Sequence, residues 1–110
     1  MTDRELLELA AKAAGLPYIK PADDYDGSLG LEVGDNPMRT RSWEPLTGDG
    51  DSLRLAVKLR LDVLVDTHAV TAMTPSGDSA TEDAESISDP YAATRRAIVR
   101  AAAAIGEGMK

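Results

Sequence analysis

The sequence predicts an α+β fold, a single layered domain with three helices and a small, largely antiparallel sheet. Three observations carry this expectation. Three segments have helical apolar spacing with start or stop signals at their ends. The stretch from Leu61 to Met73 alternates apolar and polar residues as a half-buried strand does. The elements run helix, short strands, helix, strand or hairpin, helix, an order that suits an α+β layered domain. With 110 residues, 43% of them hydrophobic, the chain suffices for one core and one domain spanning 1–110.

The first helix opens on Thr2-Asp3-Arg4-Glu5, a capping box in which the Thr2 hydroxyl accepts from the Glu5 amide and the Glu5 carboxylate reaches back. Leu6, Leu9, Ala10 and Ala13 then form one apolar face, and Gly15-Leu16-Pro17 stops the helix. Short extended candidates follow at Pro17 to Lys20 and Ser28 to Val33, on either side of an acidic turn. Gly34-Asp35-Asn36-Pro37 ends the second, and Thr40 to Trp43 adds another extended piece.

For the second helix, Asp51 is the expected N-cap, with Thr47 or Asp49 as alternatives. Leu53, Ala56, Val57 and Leu59 to Leu61 supply its buried side, while Arg54 and Lys58 are solvated. Trp43 is expected to cover the core at the helix entry with Leu46 as a staple residue, the alternative being an exposed interface anchor. Val63, Val65, Ala69, Thr71 and Met73 alternate as one strand or a broken pair, with a bend at Asp66-Thr67-His68. Residues 75–88 are small, polar or acidic and read as a mobile acidic loop with room for one short strand near Ile87. The third helix has Asp89 as N-cap and Pro90 at N1 and runs from Tyr91 to Ile105. Tyr91, Ile98, Ala102 and Ile105 make its stripe, and its alanines allow close approach to a neighbour.

The chemistry-bearing residue types exclude more than they suggest. Cysteine is absent and His68 is the one histidine, which argues against disulfides, thiol catalysis and zinc. Asp23-Asp24-Tyr25-Asp26-Gly27 fails as a calcium loop. With Gly27 at the glycine position, Ala22 and Val33 fall where the first ligand and the bidentate glutamate belong. Asp49-Gly50-Asp51 reads as helix capping before it reads as a magnesium site. No nucleophile elbow, P-loop or dinucleotide pattern occurs, and His68 reads as a structural or surface residue. The expectation is a non-enzyme without cofactor or metal. No apolar run is long enough for a membrane span, and Met1 to Glu5 does not look like a signal peptide.

Charge is unevenly placed. The formal charge is −7, yet residues 21–35 and 76–90 carry −10 and the remainder +3. Asp23, Asp24 and Asp26 in the first acidic segment, and Asp78, Glu82, Asp83 and Glu85 in the second, are candidates for binding a basic protein partner. Arg95, Arg96 and Arg100 on the third helix are a candidate basic patch. The alternative is two solvated loops and ordinary helix-surface arginines.

Trp43-x-Pro45-Leu46-Thr47-x-Asp49-x-Asp51, running into Leu53 to Leu59, resembles small proteins of tailed phages and prophages. The closing segment from Asp89 to Ala102 and the opening from Glu5 to Gly15 are similar to their last and first helices. The resemblance is to the phage alpha-beta-alpha sandwich type proteins, with NinX-like proteins as relatives. It implies expression in the cytoplasm of a bacterial host and transfers no catalytic residue. The expected function is a phage accessory protein that binds a host or phage protein through an acidic surface. The alternatives are a self-associating structural or regulatory protein, through the alanine-rich third helix, and third a nucleic-acid binder using Arg95, Arg96 and Arg100.

Overall fold

A computed structural model of the chain describes residues 2–16, 18–21, 31–36, 38–83 and 89–109. The order is α1 (Asp3–Ala13), β1 (Tyr18–Pro21), β2 (Leu31–Asn36), β3 (Arg39–Trp43), α2 (Asp49–Leu59), β4 (Asp62–Val65), β5 (Ala69–Met73), β6 (Ser79–Asp83) and α3 (Pro90–Glu107). The α+β class is as expected, but the single sheet is two separate three-stranded antiparallel sheets, β1-β2-β3 and β4-β5-β6.

Helix α1 starts and stops where its sequence says. Thr2 Oγ1 accepts from Glu5 N–H at 3.1 Å, and Glu5 Oε1 lies 3.4 Å from the Thr2 amide. At the other end Gly15 takes φ 72° while Leu16 N–H bonds Ala11 O and Gly15 N–H bonds Lys12 O, a Schellman closure. The buried face is Leu6, Leu7, Ala10, Ala11 and Ala14, rotated from the predicted one, with Leu9 and Ala13 at its margin.

Helix α3 is the centre of the molecule. It packs against α1, α2 and the β4-β5-β6 sheet, and Ala93, Ala97, Ile98, Val99, Ala101, Ala102 and Ala103 are all buried. So many small residues let its neighbours approach from several sides. Gly106 does not end the helix as predicted: it is buried within it, and a Cβ there would collide with the Leu9 carbonyl of α1. Tyr91, predicted to share the buried stripe with Ile98, is exposed instead.

Sheet β1-β2-β3 contributes Leu31, Val33 and Trp43 to the core, Leu31 and Trp43 being cross-strand partners. Strand β2 continues through Gly34 to Asn36, past its predicted end, with a register shift between Gly34 and Asn36. Trp43 is 4% exposed, as expected of a core residue, and Pro45 is fully buried. The Leu61 to Met73 stretch is the predicted broken pair: β4 and β5 form a hairpin around Asp66-Thr67-His68, closed by Asp66 N–H to Ala69 O at 2.9 Å.

The loop predicted over 75–88 is in part a strand. Thr74-Pro75-Ser76-Gly77 is a tight turn, with Gly77 N–H bonding Thr74 O and Gly77 at φ 101°. Ser79–Asp83 then pairs with β5 along its whole length, Thr71 Oγ1 meeting Thr81 Oγ1 at 3.0 Å on the outer face. The inward positions of β6 hold Ala80 and Glu82 rather than large aliphatics, so the segment lacks the usual strand signature. Residues 84–88, including Glu85 and Ile87, and the acidic turn at Asp23, Asp24 and Asp26 lie outside the described residues. Among the described residues, no helix is long and apolar enough to cross a membrane.

Two substitutions test this packing by chemical denaturation. Gly106→Ala must push α1 and α3 apart and is expected to lower stability by at least about 2 kcal/mol, beyond the gain in helix propensity. Trp43→Ala is expected to cost about 3–5 kcal/mol as a large-to-small core change. A Gly106→Ala variant as stable as the parent would refute the tight helix crossing.

Candidate interaction surface

Helix α2 begins differently from its prediction, and the difference shapes the surface beside it. Gly48, in extended conformation and without a side-chain cap, is the N-cap, so Asp49 is already helical. Asp51, the predicted cap, sits one turn in and reaches back past the cap: its Oδ2 accepts from Glu44 N–H at 2.9 Å, and its Oδ1 pairs with Arg54 at 2.9 Å. The Trp43-Glu44-Pro45-Leu46 entry is thereby tied to the helix it precedes.

The helix is also rotated. Ser52, Leu55 and Ala56 face the core, with Leu59 packed against it, while Leu53 and Val57, predicted to be buried, are 64% and 68% exposed. Both sets, 52-55-56-59 and 53-56-57, have helical spacing. The sequence alone offers two phases of nearly equal merit. The longer face, closed by Leu55 and Leu59, meets α3.

This phase leaves an open groove of about 530 Å³ between α2, the end of β4 and the start of α3. Its walls are Leu53 of α2, Val65 of β4, and Pro90, Tyr91 and Ile98 of α3, with Ser52 at its base. Tyr91 stands at the lip because Asp89 caps α3 there, accepting from Tyr91 N–H at 2.9 Å. One end is closed by Arg95, which donates to Leu46 O at 2.9 Å and to Asp49 Oδ1 at 2.6 Å. The charges at that end are matched, and the walls are apolar. Ser52 Oγ is buried without a hydrogen-bond partner. Outside the groove, Val57 of α2 and Leu64, on the outer face of β4, are also exposed.

The residues singled out for function fare unevenly. Arg95, Arg96 and Arg100 do not form a free basic patch. Besides Arg95 with Asp49, Arg96 pairs with Asp3 at 3.0 Å and Glu82 at 3.6 Å, and Arg100 with Glu82 at 2.7 Å while also donating to Thr81 O. Glu82, expected on an acidic partner surface, is the inward carboxylate that both arginines share. Asp78 lies in the β5–β6 turn and Asp83 at the far end of β6, both exposed, roughly 16 Å apart along the strand. The structure therefore does not gather Asp78, Glu82 and Asp83 into one face. His68 sits in the exposed β4–β5 turn. Ala93, Ala97, Ala101, Ala102 and Ala103 of α3 are buried against α1, α2 and the β4-β5-β6 sheet of the same chain.

An unpartnered buried hydroxyl carries a desolvation penalty that its methyl isostere lacks. Ser52→Ala is expected to leave stability unchanged or raise it by up to about 1 kcal/mol in chemical denaturation; a loss of more than about 1 kcal/mol would show that the hydroxyl is bonded in solution. Comparison of the chain with protein-family models, with curated proteins and with solved structures gives no match in any of the three.

Proposed function

We propose that this chain is a non-enzymatic accessory protein of a phage or prophage that works in the host cytoplasm by binding another protein. The groove between α2, β4 and α3 is the anchor site of that contact. The observation that carries this reading is the concentration of Leu53, Val65 and Tyr91, each about two-thirds exposed, around one concave apolar site. Isolated exposed aliphatics are ordinary on a protein surface, whereas a contiguous set around a cleft is typical of a binding surface. Tyrosine at such a rim is a residue type that dominates interface energetics.

The partner is expected to be a basic host or defence protein. Asp62 and Asp66 flank the apolar part of β4, both exposed, and the chain as a whole carries −7. The net negative charge of the chain speeds and selects encounters with a basic surface, while the apolar cleft supplies the affinity. Nucleic-acid binding has the least support, since the arginines that would make it are held in internal ion pairs.

The test is affinity capture from a bacterial host, followed by calorimetric titration of the purified partner. Tyr91→Asp is expected to weaken that binding by roughly tenfold or more, about 1.4 kcal/mol, with no change in melting temperature. Rising salt should slow association. Retention of full affinity by Tyr91→Asp would remove the groove from the contact.

A further inference from the structure

We infer that β4 pairs, antiparallel and about a two-fold axis, with β4 of a second copy of this chain, joining the two β4-β5-β6 sheets into one. The inference goes beyond the groove's proposed role and rests on the backbone edge of β4 rather than on the cleft.

Four strands lie at sheet edges among the described residues: β1, β3, β4 and β6. An unprotected edge pairs with other chains unless charge, proline or irregularity prevents it. Three of the four carry such features. Strand β1 contains Lys20 and Pro21, β3 contains Arg39 and Arg41, and β6 ends on Glu82-Asp83. Strand β4 reads Asp62-Val63-Leu64-Val65, pairs with β5 without a bulge, and has its one charge at its first position. Leu64 and Val65 are 66% and 65% exposed there.

The pairing with β5 says which backbone groups are available. Asp66 N–H bonds Ala69 O, so by alternation the N–H and C=O groups of Leu64 and Asp62 also turn toward β5. Those of Val63 and Val65 turn to the open side.

Charge then selects the register. Antiparallel pairing centred on Leu64 would set Asp62 against Asp66 of the second copy, twice. Pairing centred on Val63 sets Val63 against its own equivalent, Asp62 against Leu64, and Val65 against Leu61. It also brings Arg60, exposed at the left-handed end of α2 with φ 56°, to Asp66 of the other copy, again twice. Every outward backbone group of Val63 then meets its equivalent as a hydrogen-bonded pair. Because α2 ends immediately before Arg60, its last turn, with the exposed Val57, is carried toward the Val65 end of the opposing strand. Val57 and the outward backbone edge of β4 thus belong to one self-complementary surface of the kind a two-fold dimer requires.

Sedimentation equilibrium of the purified chain over a wide concentration range tests this. A reversible monomer–dimer equilibrium is expected; a monomer at every concentration would overturn the proposal. Val65→Pro removes an outward N–H without breaking a bond to β5, and Leu64→Lys places a charge on the edge; each should weaken the dimer by roughly tenfold or more. Having both guards against either variant failing to fold, which circular dichroism would show. Asp66→Arg should weaken the dimer severalfold, and Arg60→Asp combined with Asp66→Arg should restore it. A dimer unaffected by the edge variants, or a double variant as weak as the single one, would place the contact elsewhere. Tyr91→Asp, which lies off the edge, should leave dimerisation unchanged, so loss of partner binding and loss of the dimer are read separately.

Discussion

Helix α3 meets α1 so closely at Gly106 that a single added methyl would strike the Leu9 carbonyl. Contact at backbone distance is available to small residues alone, and of the eight buried positions of α3 five are alanine and one is Gly106, with Ile98 and Val99 the two larger residues. The Val70 and Ala72 layer of β5 and the Ser52-Leu55-Ala56 face of α2 also pack against α3. In a chain without phenylalanine, this compensates for the lack of bulky core residues: apolar area is buried by proximity as much as by side-chain size.

The same helix organises the charge. Arg95, Arg96 and Arg100 extend from α3 to α2, α1 and β6 and meet Asp49, Asp3 and Glu82. Each pair is partly exposed, so each contributes little alone. Their effect is positional. They link α3 to α2, α1 and β6, and Glu82, which would be an isolated carboxylate on the inner face of the sheet, has two partners there. What remains toward solvent around α2 and β4 is apolar surface, Leu53, Val57, Leu64 and Val65, among charges of both signs, Arg54, Lys58 and Arg60 beside Asp62 and Asp66.

Local chemistry made much of the fold readable. The Thr2 capping box, the Gly15 stop, the Asp89-Pro90 start and the Asp66-Thr67-His68 bend are where the sequence implies, because each depends on residues within a few positions of one another. Trp43 was legible as core for a different reason: a large ring beside a helix entry has few places to go in a chain short of aromatics. The candidate surface was not legible. Leu53 and Val57 have the spacing of a buried face, and only contact with α3 selects the alternative face through Ser52, Leu55 and Ala56.

Taken alone, the sequence determined the three helices, the caps at the starts of α1 and α3, the α+β class and the overall acidity, since propensity, capping and charge are properties of short segments. Tertiary structure decided the division into two sheets, the existence of β6 and the fate of the arginines. A strand with alanine and glutamate on its inner face has no hydrophobic pattern to announce it. It exists because β5 offers a ladder of hydrogen bonds and because Arg96 and Arg100 arrive on α3 to meet the glutamate. Those partners are distant in sequence, and the energy that selects such a strand appears only when the helix is already in place.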